Sequence, residues 1–320
     1  MLRALIAAFL SAPFALAPAA AQEWPSRTIN VIVPLGAGSA SDILARVVME
    51  QVGKQLGQAA IVENRPGAGG TIGANMVAKA APDGYTVLVY GALASAHALH
   101  EKLPYDSVND LIPIASLGQQ ILVVISSPGK GYKTLGDLVA AAKAKPGALN
   151  YSSAGVGSSS HMGAERLRAS VGFEAQHIPF KGAAEAVTDV IAGRSDFSVQ
   201  LPATTLPLLK DRKLTALAVS AQKRSSMFPD VPTTIEAGLP PSSVYPFYSG
   251  VYLPAHTPQP IVDRLTAEIA KALQTAEVKA RLAQLGVEPM PMTQPEFAQF
   301  TRDDIAANVA LVKAAKIPTQ

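Results

Sequence analysis

The chain of 320 residues contains no cysteine. Disulfides, thiolate nucleophiles and all-cysteine metal sites are therefore excluded. Charge is also sparse: 16% of the side chains are Asp, Glu, Lys or Arg, and 27 basic against 24 acidic residues leave a formal +3. The basic residues are scattered, as at Lys54, Lys79, Lys102, Lys143 and Lys145. A nucleic-acid binder would present a basic stripe or patch, so no nucleic-acid partner is expected. Beyond the first residues, no stretch has the length and apolarity of a membrane span. The low charge does not signal disorder, because 48% of the residues are hydrophobic and can fill a sizeable core. The length suits about two domains of roughly 100–200 residues each.

The first residues read differently. Arg3 precedes the apolar run Leu5, Ile6, Ala7, Ala8, Phe9 and Leu10, and Ala19, Ala20 and Ala21 precede Gln22. This is the form of a secretory signal peptide over residues 1–21, cleaved after Ala21. A membrane anchor is the competing reading, but Ser11, Pro13 and Pro18 interrupt a run already short for a bilayer. The expected mature chain is soluble and lies outside the cytoplasm. Export without disulfides is no contradiction in a chain large enough to be held by its core.

Strand-like and helix-like patterns alternate from Ile29 onward. Ile29 to Val33 reads as a strand, and Ile43, Leu44, Val47, Val48, Val52 and Leu56 recur at helical spacing before the stop signal Gly57. A second such series begins near Ile121, with Thr134 and Asp137 as a capping pair. Thr293 and Glu296 form a further capping box. Strands separated by helices predict an α/β fold with parallel pairing and helices on both faces.

Two loops stand out. After the first strand come Leu35, Gly36, Ala37, Gly38, Ser39, Ala40, Ser41 and Asp42. Glycines allow close approach of backbone, hydroxyls donate hydrogen bonds, and free N–H groups at a helix start favour an anion. The same stretch also reads as an ordinary tight turn capped by Ser41 or Asp42. In the second series Tyr151, Ser153, Gly157, Ser158, Ser159 and His161 repeat the design, although hydroxyls with glycine are also common loop material. Two donor-rich loops can clamp a carboxylate without a buried Arg. Asn64 orients a loop or bonds a ligand, Arg65 is a surface charge or a distal partner, and Lys181 and Gly182 follow a strand so that their backbone can reach a cleft.

Signatures of catalysis fail. There is no GxxxxGK[ST] loop and no GxSxG elbow, and Ser41 stands where a dinucleotide fingerprint needs its third glycine. His97 and His100 lack the carboxylate pattern of a catalytic zinc site. The serines 158–160 have no identifiable orienting acid. No cofactor, no metal and no enzymatic activity are expected; a hydrolase is the less favoured alternative.

In sequence order, Trp24-Pro25, Val62-Glu63-Asn64-Arg65-Pro66-Gly67-Ala68-Gly69-Gly70, Ala81-Pro82-Asp83-Gly84-Tyr85, Tyr151-Ser152-Ser153-Ala154-Gly155, His177-Ile178-Pro179-Phe180-Lys181-Gly182 and Pro229-Asp230-Val231-Pro232-Thr233 resemble the periplasmic solute-binding proteins of tripartite tricarboxylate transporters, the Bug receptors. The resemblance implies a periplasmic-binding-protein (Venus flytrap) fold, with two α/β lobes about a central cleft. Its expected lobes are residues 22–120 with 251–320, and 121–250. It implies a monomer in the periplasm that grips a small organic carboxylate by the two loops, partly through water, and delivers it to membrane transporter subunits. Presentation of the ligand to a signalling receptor is the alternative role. Leu35 and Ser39 replace the usual Phe and second Gly, and Tyr248-Ser249-Gly250 replaces Trp-x-Gly. Neutral Gln200 stands at a place often acidic or small, which disfavours an amino acid and points to a dicarboxylate or aromatic carboxylate near Tyr151 and Phe180.

Overall fold

The computed structural model describes residues 24–245 and 247–319; the expected signal peptide, residues 1–21, lies outside the described residues. The chain first forms β1 (Ile29–Val33), α1 (Ala40–Leu56), β2 (Ala60–Asn64), α2 (Thr71–Ala78), β3 (Thr86–Tyr90), α3 (Leu93–Leu99) and β4 (Leu111–Gln120). It continues through β5 (Leu122–Ser126), α4 (Leu135–Ala144), β6 (Asn150–Ser153), α5 (Ser159–Val171), β7 (Gln176–Pro179), α6 (Ala183–Ile191), β8 (Phe197–Gln200), α7 (Pro202–Lys210) and β9 (Thr215–Ser220). It ends with β10 (Phe247–Pro254), α8 (Gln259–Gln274), α9 (Ala276–Gln284), β11 (Val287–Glu288) and α10 (Gln294–Ala314).

These elements make two sheets, one in the order β11-β4-β10-β3-β1-β2 and the other β7-β6-β8-β5-β9. The βα units pair in parallel as expected, β1 with β2 and β3, and β6 with β7 and β8. The sheets are nevertheless mixed. β10 runs antiparallel to β3 and β4, and β5 antiparallel to β8 and β9. The physical reason lies in the connections. β4 passes into β5 with only Ile121 between them, and β10 brings the chain back to the first sheet. Neither connection has the helical crossover that parallel pairing of neighbours requires.

Local chemistry explains the helices that matter most. Ser39 caps α1 by accepting from the Asp42 N–H, and Gly57 ends it in the left-handed conformation at φ 68°. Both expected capping boxes, Thr134 with Asp137 and Thr293 with Glu296, are formed. Apolar residues of α1 and α8 cover one face of the first sheet, while α2, α3 and Phe297 of α10 cover the other. α10 then continues into the second lobe, where Leu311 and Val312 join the core around Leu122, Tyr151 and Phe197. That same cluster takes in Leu99 of α3 and Phe247 of β10, and Ala40 at the start of α1 packs against it. The two lobes therefore share an apolar contact as well as two strand crossovers.

The second lobe buries an aromatic stack under its β6–α5 loop. The His161 and His177 rings lie 4.1 Å apart at 11°, and Tyr151 stacks on His177 at 4.8 Å. The Tyr151 hydroxyl donates to Glu165, and the Ser153 hydroxyl meets His177 Nε2 at 2.6 Å. Burial holds both imidazoles neutral: it pushes His161 down to about 3, with His177 and Arg168 adding repulsion, and His177 down to about 4, with Arg168 adding to it.

Two outcomes follow from this packing. A Cβ on Gly73 of α2 would lie 2.8 Å from both the Arg65 carbonyl oxygen and Pro34 Cβ, atoms that belong to the two loops flanking β1 and β2. Gly73→Ala should cost about 1–3 kcal/mol, read as a lower urea midpoint with unchanged slope. For the stack, a His with a lowered folded pKa stabilises fully above its unfolded value near 6.5 and loses that contribution as pH falls toward the folded value. Burial raises the Glu165 carboxyl and lifts that of Asp304 to about 6, which works in the opposite direction, so the readout is a difference between proteins. The stability gap between the parent and His177→Gln should be widest above about pH 6.5 and narrow by on the order of 1–2 kcal/mol by pH 5, measured by urea unfolding across pH. A gap independent of pH would show that His177 is not held neutral.

Candidate functional site

The site begins with two helix starts. The first N–H groups of a helix have no partner within it, and caps normally satisfy some of them. At α1, Ser39 takes the Asp42 N–H through its side chain and the Ile43 N–H through its carbonyl. At α5, Ser158 takes the His161 N–H and the Met162 N–H in the same two ways. The N–H groups of Ala40 and Ser41, and of Ser159 and Ser160, have no protein acceptor among the described residues. Ser41 and Ser160 are almost wholly buried, at 1% and 2% exposure. Buried backbone donors left without a partner are costly. With the partial positive charge of each helix end, donors of this kind can take an anion as their acceptor.

Both starts border one cavity of about 360 Å³ between the lobes. Its walls are Leu35, Ala40 and Ser41 from the first loop, Val156, Gly157, Ser158 and Ser159 from the second, Leu201 after β8, and Phe247 of β10. Gly91, Ser95, Ala96, Leu99 and His100 form a further wall along α3, with Gly69 beside it. No Asp, Glu, Lys or Arg lines it among the described residues. Gly91 belongs to the floor because a Cβ there would lie 2.9 Å from the Tyr248 carbonyl oxygen and 3.1 Å from Ser41 Oγ. A larger hollow of about 590 Å³ opens beside the crossovers, around Gln119, Ile121, Ser220, Tyr245 and Met290. Neither helix start reaches it, which leaves the smaller cavity as the candidate site.

The sequence-predicted residues divide into wall and support. Leu35, Ser41, Gly157, Ser158 and Ser159 line the cavity. Gly36, Ala37 and Gly38 are exposed and Ser39 is the cap of α1, none of them on the wall. Asp42 and Asn64 shape the first loop: Asp42 accepts from the Gly38 N–H at 2.8 Å, from Arg46 at 3.0 Å and from Asn64 Nδ2 at 3.0 Å. Asn64 Nδ2 also donates to the Leu35 carbonyl at 3.0 Å, and its Oδ1 accepts from Arg46. Burial pushes the Asp42 carboxyl up, but these hydrogen bonds outweigh it and hold the group below its usual value. Arg65 pairs with Glu63.

The second loop has its own support. His161 Nδ1 accepts from the Gly157 N–H at 3.1 Å, so the neutral ring carries its proton on Nε2. Tyr151 and Ser153 lie in the stack beneath and do not reach the cavity. Gln200 is buried with its amide donating to Ser198. Lys181 is exposed, Gly182 precedes α6, and neither lines the cavity. The wall residues missed by sequence reasoning are those along α3 and at its end, chiefly Ser95, Leu99 and His100, together with Leu201 and Phe247. The available signal was Gly91 directly after β3, a third place where a strand's carboxyl end opens onto the crevice.

The family model described as "Tripartite tricarboxylate transporter family receptor" matches residues 44–317. The protein BugT of Bordetella pertussis is 33% identical over 315 residues, spanning 98% of this chain and 96% of that relative. Among solved structures, MatC (Rpa3494) from Rhodopseudomonas palustris with bound malate superposes with a TM-score of 0.77 at 33% identity, covering 90% of this chain and all of that one. R. palustris Rpa4515 with adipate gives a TM-score of 0.81 at 27% identity, covering 93% of this chain and all of that one. The chain belongs to the tripartite tricarboxylate transporter receptor family.

Proposed function

We propose that this chain is a periplasmic receptor that captures a small carboxylate between its lobes and delivers it to a membrane transporter of the tripartite tricarboxylate type. The observation that carries the reading is the pair of helix starts, each with two N–H groups lacking a protein acceptor among the described residues, that border one cavity without charged lining residues through Ala40, Ser41, Ser158 and Ser159. A carboxylate supplies the acceptors that those donors lack, and charge-assisted bonds of this kind are the stronger ones. The bound malate and adipate of the two related structures belong to the same chemical class. The finer choice is a dicarboxylate or an aromatic carboxylate.

The mechanism is capture without chemistry. The lobes divide where the chain changes sheets, at Ile121 and between Ser220 and Phe247. In an open form each lobe shows its own helix start to water. A carboxylate bound to both starts interacts better with the closed form than with the open one, and that difference is what shifts the population. The loaded closed form is the one recognised by the transporter.

The test exploits proline. At the first position of a helix, proline fits the backbone and removes only an N–H. Ala40 and Ser159 occupy those positions, and the residues before them, Ser39 at ψ 158° and Ser158 at ψ 160°, already have the extended conformation that precedes proline. Ala40→Pro and Ser159→Pro should keep cooperative unfolding while weakening carboxylate binding about 10- to 100-fold. Ser159→Ala, which keeps the N–H, should lose much less. The measurement is calorimetric titration with a panel of mono-, di- and aromatic carboxylates. A panel in which no carboxylate binds the parent protein would overturn the reading.

A further inference from the structure

We infer that the two helix starts hold the ligand carboxylate unequally, with α5 as its main anchor, because a histidine braces that start where an aspartate braces α1. This rests on the carboxylate reading above and ranks the two contacts within it.

The two starts share one design. Gly38-Ser39-Ala40-Ser41-Asp42 leads into α1 as Gly157-Ser158-Ser159-Ser160-His161 leads into α5. Both glycines are left-handed, at φ 80° and 77°, and both serines are extended caps, at ψ 158° and 160°. The last residue of each run closes the turn twice. Its N–H donates to the cap serine, at 3.3 Å for Asp42 and 3.2 Å for His161. Its side chain accepts from the glycine N–H, at 2.8 Å for Asp42 and 3.1 Å for His161. The backbone is therefore set alike at the two starts, and the bracing side chain is what differs.

That difference is one of charge. An N–H can only donate, so His161 Nδ1 presents a lone pair to Gly157, and an imidazole that does so is neutral. Asp42 accepts from Arg46 and Asn64 as well as Gly38, and a carboxyl with three donors on it is ionised at neutral pH. A carboxylate in the first turn offsets the partial positive charge of the helix end and repels a second anion there. Arg46 cancels part of this, but its side chain is half exposed and screened by water, while that of Asp42 is buried. The first turn of α5 has no acid. Its one acid, Glu165, lies a turn further on, where it takes the Tyr151 hydroxyl and pairs with Arg168.

The hydroxyls lean the same way. Ser41 Oγ is 3.3 Å from Ser249 Oγ, and Ser160 Oγ is 3.0 Å from Ser158 Oγ, so these two are matched. Ser159, on the cavity wall, adds a hydroxyl at the first position of α5, where α1 has Ala40. α3 also starts on this wall, uncapped at Ala92; its donors are common to every variant below and leave the ranking of α1 against α5 untouched.

Calorimetric titration of the full mature chain with acetate, benzoate, malate and adipate at neutral pH tests this in two ways. His161→Asn and His161→Asp are close in shape, both offer Gly157 an acceptor, and they differ by one charge. Both are made in the His177→Gln background, where no neighbouring imidazole can take up a proton. There the Asp variant should bind about tenfold more weakly than the Asn variant. Independently, Ser159→Pro measured against Ser159→Ala should lose at least about threefold more affinity than Ala40→Pro measured against the parent. Urea unfolding checks that each variant is folded, and the proline pair decides alone if His161→Asp is not. Equal binding by the Asn and Asp variants, or equal losses from the two prolines, overturns the inference and leaves the carboxylate reading standing. Binding of no carboxylate by the parent overturns the reading and the inference together.

Discussion

Backbone N–H groups cannot be removed from a helix start, and when buried they require an acceptor. At most helix ends the protein supplies one from a cap, a neighbouring loop or water. Here Ser39 and Ser158 satisfy the third and fourth donors of α1 and α5 and leave the first two of each open. The fold brings the two unfinished ends to one cavity because each comes after a parallel strand whose carboxyl end faces the crevice. On the proposed reading an anion completes both ends at once, which requires no Lys or Arg among the described lining residues.

Several polar side chains near these loops are engaged in bracing the loops themselves. Asp42, Asn64 and Arg46 tie the first loop into one hydrogen-bonded unit. His161 holds the second by accepting from Gly157 and resting on His177. Such bracing has an energetic purpose. A loop already ordered in its binding geometry loses less conformational freedom when ligand arrives, so more of the interaction appears as affinity. The lobes also touch one another directly. Ala40, Leu99 and Phe247 of the first sheet's elements already pack on the second lobe's core, and α10 runs from one core to the other. These contacts between the lobes form without any ligand, so on the proposed reading a ligand supplies only the difference between two arrangements of the lobes.

The parts of this arrangement readable in the sequence were those with local causes. Gly36, Gly38, Gly155 and Gly157, with their serines, mark two strand–loop–helix turns, and the capping boxes at Thr134 and Thr293 mark helix starts by residue type alone. The wall along α3 has no such cause. Ser95, Leu99 and His100 sit in an alanine-rich stretch with no cap or glycine stop, and they become a wall only because α10 packs α3 into place. The same holds for the antiparallel crossovers. Nothing local in Leu111–Gln120 tells that it runs directly into the other sheet. Asn64 and Tyr151 show the converse difficulty: residues of suitable chemistry beside a binding loop whose partners are the loop and the core.

Backbone and wall thus divide the labour of recognition. On the proposed reading the head group is held by main-chain N–H groups, which nearly any residue carries, so its capture depends on helix position and on small residues such as Gly91 that keep the floor open. It does not depend on the identity of most side chains. On the same reading the walls, built from side chains, face the remainder of the ligand, so substitutions there change the preferred ligand body without disturbing how the carboxylate is held. A receptor constructed this way can change its cargo by small steps at Leu99, His100, Leu201 or Phe247 while its helix starts stay as they are. Discrimination between cargoes then includes desolvation: an apolar tail gains from contact with the hydrocarbon of Leu35, Leu99, Leu201 and Phe247.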